Sequence, residues 1–272
     1  MPSYVLLILG IATLSVALRT FDHVILQKLG ALGILVTSYL VGYFLTGSAL
    51  VGVACAASWL FLPWLEILTR IRRLRLPLEK NLRHRGAPSS DLFPALSDLT
   101  HDIEEEGFVQ VDDTGWDWDD YQQFFRLFYR EKDRCQAAIC LIEQHDLAFF
   151  YLSISSRGKN DTIWTTWNYP FSYSLKIVPQ LKINRLRSDQ TFLQLAESHA
   201  SFLRASGITT DQLKELGPDK IQQEIQKDLR AQIAHNLAQG VLTRAGEGQI
   251  RYSWRGFFFI WFQFLRDLVQ LY

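Results

Sequence analysis

His101 and Glu105 stand four residues apart in a stretch of helical periodicity, the spacing at which two side chains on one helix face can share a proton or a metal ion. Asp112 and Asp113 follow closely, and His199 lies further along the chain. An enzyme built from these residues would use a histidine as general base and a carboxylate to orient it, the chemistry of a hydrolase or transferase. No third metal ligand accompanies them, and the sequence specifies neither a metal nor a cofactor. A Gly-x-Gly-x-x-Gly turn, a phosphate loop, His-Glu-x-x-His and Gly-x-Ser-x-Gly are all missing. The acidic run DDTGWDWDD at 112–120 lacks the alternating oxygen ligands and closing Glu of a calcium loop, so it is expected to form a solvated surface turn. Cys135 and Cys140 have no second pair for zinc, and Cys55 falls in an apolar stretch; thiols without a disulfide framework fit a reducing compartment.

A second group is better suited to binding than to catalysis. Trp164 and Asn168 share one face of a predicted strand, Tyr169 and Phe171 flank Pro170, and Arg157 and Lys159 occupy the preceding turn. Aromatic rings beside cations can receive a nucleotide, a peptide or a lipid headgroup. The leading expectation is therefore a binding or sensory module that meets a protein partner or a ligand, with the Asp/His enzyme as the alternative.

The elements that must position these residues follow from periodicity. Leu92, Leu96, Leu99 and Ile103 recur at helical spacing, which predicts a helix over 90–106 capped by Ser90 and stopped by Gly107. In the next stretch Phe125, Leu127 and Tyr129 alternate with Arg126 and Arg130, so an extended run should bury the first set and leave the arginines at the surface. Further strands are expected over 136–143, 147–155, 162–167 and 173–178. The separators are short and rich in turn formers, and five such strands imply an antiparallel meander. Helices over 189–206 and 219–239, with a brief one at 211–216 between them, should cover that sheet. A small hairpin about Ala245-Gly246-Glu247-Gly248 then completes the outline of a winged helix. The basic excess there is too slight for more than weak nucleic-acid binding. The last helix, RGFFFIWFQFLRDLVQLY, is wholly apolar at first; burial in the soluble core is expected, with contact at the bilayer surface as the alternative.

All of this hangs from an apolar N-terminal region. Between Tyr4 and Leu68 the only charged side chains are Arg19, Asp22, Lys28 and Glu66, whereas the rest of the chain is richly charged. Such a desert marks hydrocarbon as the solvent. Spans are expected at 4–20, 29–46 and 48–67, the last two forming a tight hairpin. Ser38, Gly42 and Thr46 supply a small face to one helix, and Ser48, Gly52 and Ala56 supply one to the other. The chain thus divides into a transmembrane region (1–68), a basic collar (69–89), a helix with a sheet (90–188) and a helical part (189–272). The expected fold class is membrane-anchored α+β. No basic segment precedes the first apolar run, which argues against a cleaved signal peptide.

Orientation rests on the collar. Arg70, Arg72, Arg73, Arg75, Lys80, Arg83 and Arg85 follow the last span against Glu79 alone, and a basic flank of this kind stays cytoplasmic and can touch anionic headgroups. The first apolar run covers 15 residues from Tyr4 to Leu18. As a helix it is about 23 Å long against a hydrocarbon core of roughly 30 Å, so two spans compete with three. We expect three, in a cell membrane, with residue 2 outside and Lys28 and Ser90 inside. Single cysteines at these positions, treated with an impermeant thiol reagent, test it. Reaction at residue 2 in intact cells supports three spans, reaction there only after permeabilisation supports two, and external reaction at Ser90 would refute a cytosolic domain.

Overall fold

The computed structural model describes residues 2–21, 23–144 and 147–270, leaving the side chains of 2, 3, 24 and 267–270 aside. Two compact units emerge: residues 1–74 together with 252–272, and residues 75–251.

The first unit is helical. Helices α1 (Pro2–Arg19), α2 (Val24–Thr46) and α3 (Ala49–Glu66) carry apolar side chains all round, the composition of a helix solvated by lipid. Two spans, Ile25–Thr46 and Ala49–Ile71, are long and apolar enough to cross a membrane, the second because α3 continues into a π turn at Ile67–Ile71; only 11% of each is buried by protein. The chain is a membrane-anchored protein. Small residues let these helices meet closely. A Cβ added at Gly42 of α2 would lie 2.7 Å from Cys55 Sγ and 2.9 Å from the Val51 carbonyl of α3. Trp59 on α3 donates its indole N–H to Ser38 Oγ on α2 at 2.8 Å. The reversal between them is made by Gly47, which takes φ +69° and donates its N–H to the Tyr43 carbonyl. On the other flank Ser15 of α1 is buried at Gly30 and Gly33 of α2. The final helix, α7 (Trp254–Gln270), groups with these helices rather than with the soluble residues whose core it was expected to enter.

The second unit is a mixed sheet covered by helices, and it corrects the expected five-strand meander. Strands β2 (Arg83–His84), β3 (Val109–Trp118), β4 (Tyr121–Arg130), β5 (Cys135–Gln144), β6 (Leu147–Arg157), β7 (Ile163–Trp167) and β8 (Leu181–Arg185) lie side by side in chain order. All neighbours are antiparallel except β7 and β8, which are parallel. The parallel pair exists because 173–178 is not a strand. Its backbone is held elsewhere: the fully buried Asn236 accepts the Lys176 N–H at 2.8 Å and donates to the Lys176 carbonyl at 2.9 Å. Residues 168–180 thereby become the long crossover that parallel strands need. The acidic run expected as a surface turn is instead most of β3.

Both faces of this sheet are buried. On one, Phe124, Phe128, Ile139 and Leu152 pack with Leu96 and Ile103 of α4 (Leu96–Glu105) and with Phe192 and Leu195 of α5 (Phe192–Ala205). On the other, Phe125, Leu127, Ala138 and Tyr151 pack with Leu216 and with Ile221, Ile225 and Leu229 of α6 (Ile221–Ala238). Each large side chain so buried contributes about 1.5–3 kcal/mol. The arginines of β4 are therefore not left at the surface. Arg126 donates from Nε and Nη2 to both carboxylate oxygens of Asp113 on β3, at 2.9 and 2.7 Å, and from Nη1 to Thr100 of α4.

The expected winged helix is absent as well. Strands β9 (Leu242–Gly246) and β10 (Gln249–Tyr252) pair with β1 (Leu76–Pro77) in a separate three-stranded sheet, and the apolar stripe of α6 is spent on the large one, leaving no presented recognition helix. Helix α4 also starts later than expected, after Pro94, with Ala95 rather than Ser90 at its N-terminus. The 211–216 helix shortens to one 3-10 turn at Thr210–Gln212.

The close approach in the helical unit makes a checkable demand. Gly42→Val should cost about 1–3 kcal/mol by forcing α2 and α3 apart. Gly10→Val, whose added Cβ meets nothing within 4 Å, should cost far less. Thermal unfolding of the two variants in detergent, read by loss of helical circular dichroism, compares them; equal midpoints would contradict the packing described.

Candidate functional site

The residues first considered for catalysis do not converge. His101 pairs with Glu105 at 3.2 Å, both largely exposed on α4. Asp112 meets His84 of β2 at 3.1 Å, and Asp113 is taken by Arg126. His199 sits on the inner side of α5, 2% exposed, with Nε2 3.0 Å from Ser156 Oγ and Nδ1 3.0 Å from Thr166 Oγ1. Burial lowers its pKa to about 4, so the ring is neutral at physiological pH. A serine beside a histidine has the makings of a nucleophile and base. Here Ser156 is fully buried and the second imidazole nitrogen faces a threonine hydroxyl, so the arrangement ties α5 to β6 and β7. Among the described residues no group of three or more His, Cys, Asp or Glu side chains could hold a metal ion.

The residues considered for binding are divided by the pleat. Arg157 reaches the α6 face of the sheet, whereas Trp164 and Thr166 reach the α5 face. The Asn168 side chain accepts the Leu152 N–H at 2.7 Å, serving as an extra rung beside β6. Lys159 donates its backbone N–H to the Gln212 carbonyl. Tyr169 and Phe171 join Phe149, Tyr151 and Trp167 in a contiguous set of aromatic contacts. In the helical unit the collar begins with Arg70 paired to Glu66, followed by Arg72 and Arg73; Arg75 opens the second unit and its carbonyl accepts the Trp118 indole.

A cavity of about 380 Å³ lies between the α6 face of the sheet and α6 itself. It exists because small side chains oppose one another. Ser153 and Ser155 of β6 and Thr165 of β7 point to the side that Ala231 of α6 lines, whereas toward β4 and β5 the larger Ile221 and Ile225 close the gap. Arg157 stands at one wall, 5% exposed. Its Nη1 donates to Asp228 Oδ1 at 3.0 Å and Nη2 to the other oxygen, while Glu224 lies 3.7 Å away and is held in turn by Lys214. The guanidinium charge is thus met by two carboxylates of α6. The Lys214 ammonium and the Arg157 guanidinium keep the Glu224 carboxyl below its ordinary range.

What remains unmet is specific. Arg157 Nε, Trp167 Nε1 and Gln136 Oε1 are each buried without a hydrogen-bond partner, and all three residues line this cavity. Two donors and one acceptor left so would each cost about 1–3 kcal/mol if nothing met them. Cys140, also in the wall, has its thiol pushed up to about 12 by burial, and burial holds the Tyr151 phenol protonated. The cavity therefore offers hydrogen bonds and apolar surface, and no ionised nucleophile among these groups. Sequence reading reached Arg157 through its neighbourhood of aromatics and missed Trp167, Gln136 and Asp228. Period-2 alternation from Arg157 back through Ser155 and Ser153 was the available signal.

Compared with known proteins, the chain matches no family model, no curated protein and no solved structure.

The neutral His199 has a measurable consequence. Its pKa is depressed from 6.5 in the unfolded chain to about 4 in the folded one, so the unfolded state binds the proton first as pH falls. Stability from this residue is complete above the unfolded value and is lost as pH falls from 6.5 toward 4, by about 3 kcal/mol in all. Thermal midpoints recorded across this range should fall in the wild type more steeply than in His199→Gln. Parallel pH profiles for the two would show that the imidazole is not held neutral.

Proposed function

We propose that the chain is a non-enzymatic, membrane-anchored binding module whose cytosolic domain receives a small ligand in the cavity beneath α6. The observation that carries this reading is that three residues lining one largely apolar space, Arg157, Trp167 and Gln136, each carry a buried polar atom without a hydrogen-bond partner. The volume falls within the range of small-molecule sites, roughly 300–1,000 Å³. Because Asp228 and Glu224 already balance Arg157, the fitting ligand is uncharged where it meets this wall: a compact apolar body bearing an oxygen that accepts from Nε–H or the indole N–H, and a donor for Gln136. A free carboxylate or phosphate would have to compete with two resident carboxylates.

The basic collar after α3 supports a cytoplasmic domain, with three spans favoured over two. Asp228, Glu224 and Asn236 all belong to α6, so a ligand that displaces or recruits Arg157 acts on the helix that also holds the 168–180 crossover. A sensory role would use that coupling, with a protein partner as its reader.

2-Naphthol, an apolar ring system whose hydroxyl both donates and accepts, is a suitable probe. Full-length protein in nanodiscs should melt at a higher temperature with the probe present, as any ligand of the folded state requires. The shift should vanish in Ser153→Phe, whose ring occupies the cavity, and shrink several-fold in Trp167→Phe, which keeps the aromatic packing and removes the N–H. An identical shift in all three proteins would place the probe elsewhere and refute the cavity as the site.

A further inference from the structure

Helix α7 carries an apolar stripe that the rest of its unit leaves more than half exposed. Trp254, Phe258 and Phe262 are 62%, 55% and 61% exposed, and their four-residue spacing sets them along one side of the helix. The opposite side is used: Phe257 and Ile260 are buried. Against α3, the Phe258 ring meets Trp64 edge-on at 5.1 Å, and the Trp261 indole donates to the Leu60 carbonyl at 2.7 Å. As α7 advances from 258 to 261, its partners on α3 recede from 64 to 60. The helix therefore runs back alongside α3, from the collar end toward the membrane-crossing segment.

We infer that α7 is a lipid-facing helix seated at the boundary between headgroups and acyl chains, with the bilayer as the occupant of the stripe. Continuity carries the assignment. The exposed side of α3 beside Trp64 is already apolar, with Phe61 and Leu65 both more than three-fifths exposed on a helix of the membrane anchor, and α7 lies against the same stretch of α3 through Phe258 and Trp261. Charge agrees with depth. Arg255, in the first turn of α7, and Arg70, at the end of α3, lie at the collar end, where anionic headgroups meet cations; the six residues from Phe257 to Phe262 carry no charge. Trp254 and Trp261 suit the same boundary, since indole combines an apolar body with one polar N–H. The inference is independent of the cavity and stands or falls without it.

Spin labels on the full-length chain test it. Cysteine replaces Trp254, Phe258, Phe262 or Ser90 one at a time, with Cys55→Ala to remove the half-buried thiol. The protein is placed in nanodiscs of phosphatidylcholine and phosphatidylglycerol, and collision with oxygen is compared with collision with a water-soluble nickel chelate. Labels at 258 and 262 should favour oxygen several-fold over the Ser90 label, with 254 intermediate. Nickel access at 258 and 262 equal to that at Ser90 would put the stripe in water. Low access to both reagents would mean that protein covers it, and spin broadening that disappears on dilution with unlabelled chain would identify a second copy as the cover. Any of these three results overturns the assignment.

Discussion

Side chains on both sides of the middle strands of the large sheet are buried, and most of the soluble unit follows from that constraint. Phe128 and Leu127, adjacent in β4, point to opposite faces and are both fully buried or nearly so. An antiparallel sheet can leave one face to solvent. This one must have helices on both, and α4 with α5 serve one side while α6 serves the other. A charged side chain in such a strand needs a partner held in register beside it, because an unpaired buried charge costs several kcal/mol. Arg126 and Asp113 face each other directly across β4 and β3, and removing either would strand the other.

The cavity is the place where this double covering is incomplete. Helix α6 fits closely where its isoleucines meet aromatic and aliphatic residues, and stands off where Ser153, Ser155 and Thr165 offer only short side chains. Natural interiors are packed as densely as organic crystals, so a sizeable void beside unmet donors is a departure from the rule rather than slack in it. Arg157 makes the departure tolerable, since its charge is balanced by Asp228 and Glu224 even while its Nε–H is not met.

Physical reasons separate what the sequence disclosed from what it concealed. The membrane helices were plain because lipid imposes one requirement, apolarity, on every position, and Gly42 and Gly52 announced their own contact. Strand β4 was visible in its alternation, strands β5 to β7 in apolar runs bounded by turn formers, and helix α5 in its apolar stripe. Strand β3 was hidden because Asp112, Asp113 and Asp117 resemble a loop until Arg126 is known to sit opposite. The segment 173–178 misled in the other direction: its composition is that of a strand, yet its backbone bonds go to Asn236, sixty residues away. The cavity was the least visible of all, since Gln136, Arg157, Trp167 and Asp228 come from three strands and a helix with no common spacing.

The short strand β1 carries a consequence for synthesis. Leu76 pairs with Ile250 and Pro77 with Gln249, so the first strand of the soluble unit waits for the last. The antiparallel part of the large sheet, β3 to β7, can form as it leaves the ribosome, each strand docking on the one just made, whereas the small sheet cannot close until residue 250 has emerged. By then α2 and α3 have long since been delivered to the bilayer. The domain thus completes its fold while already joined to an anchor in the bilayer.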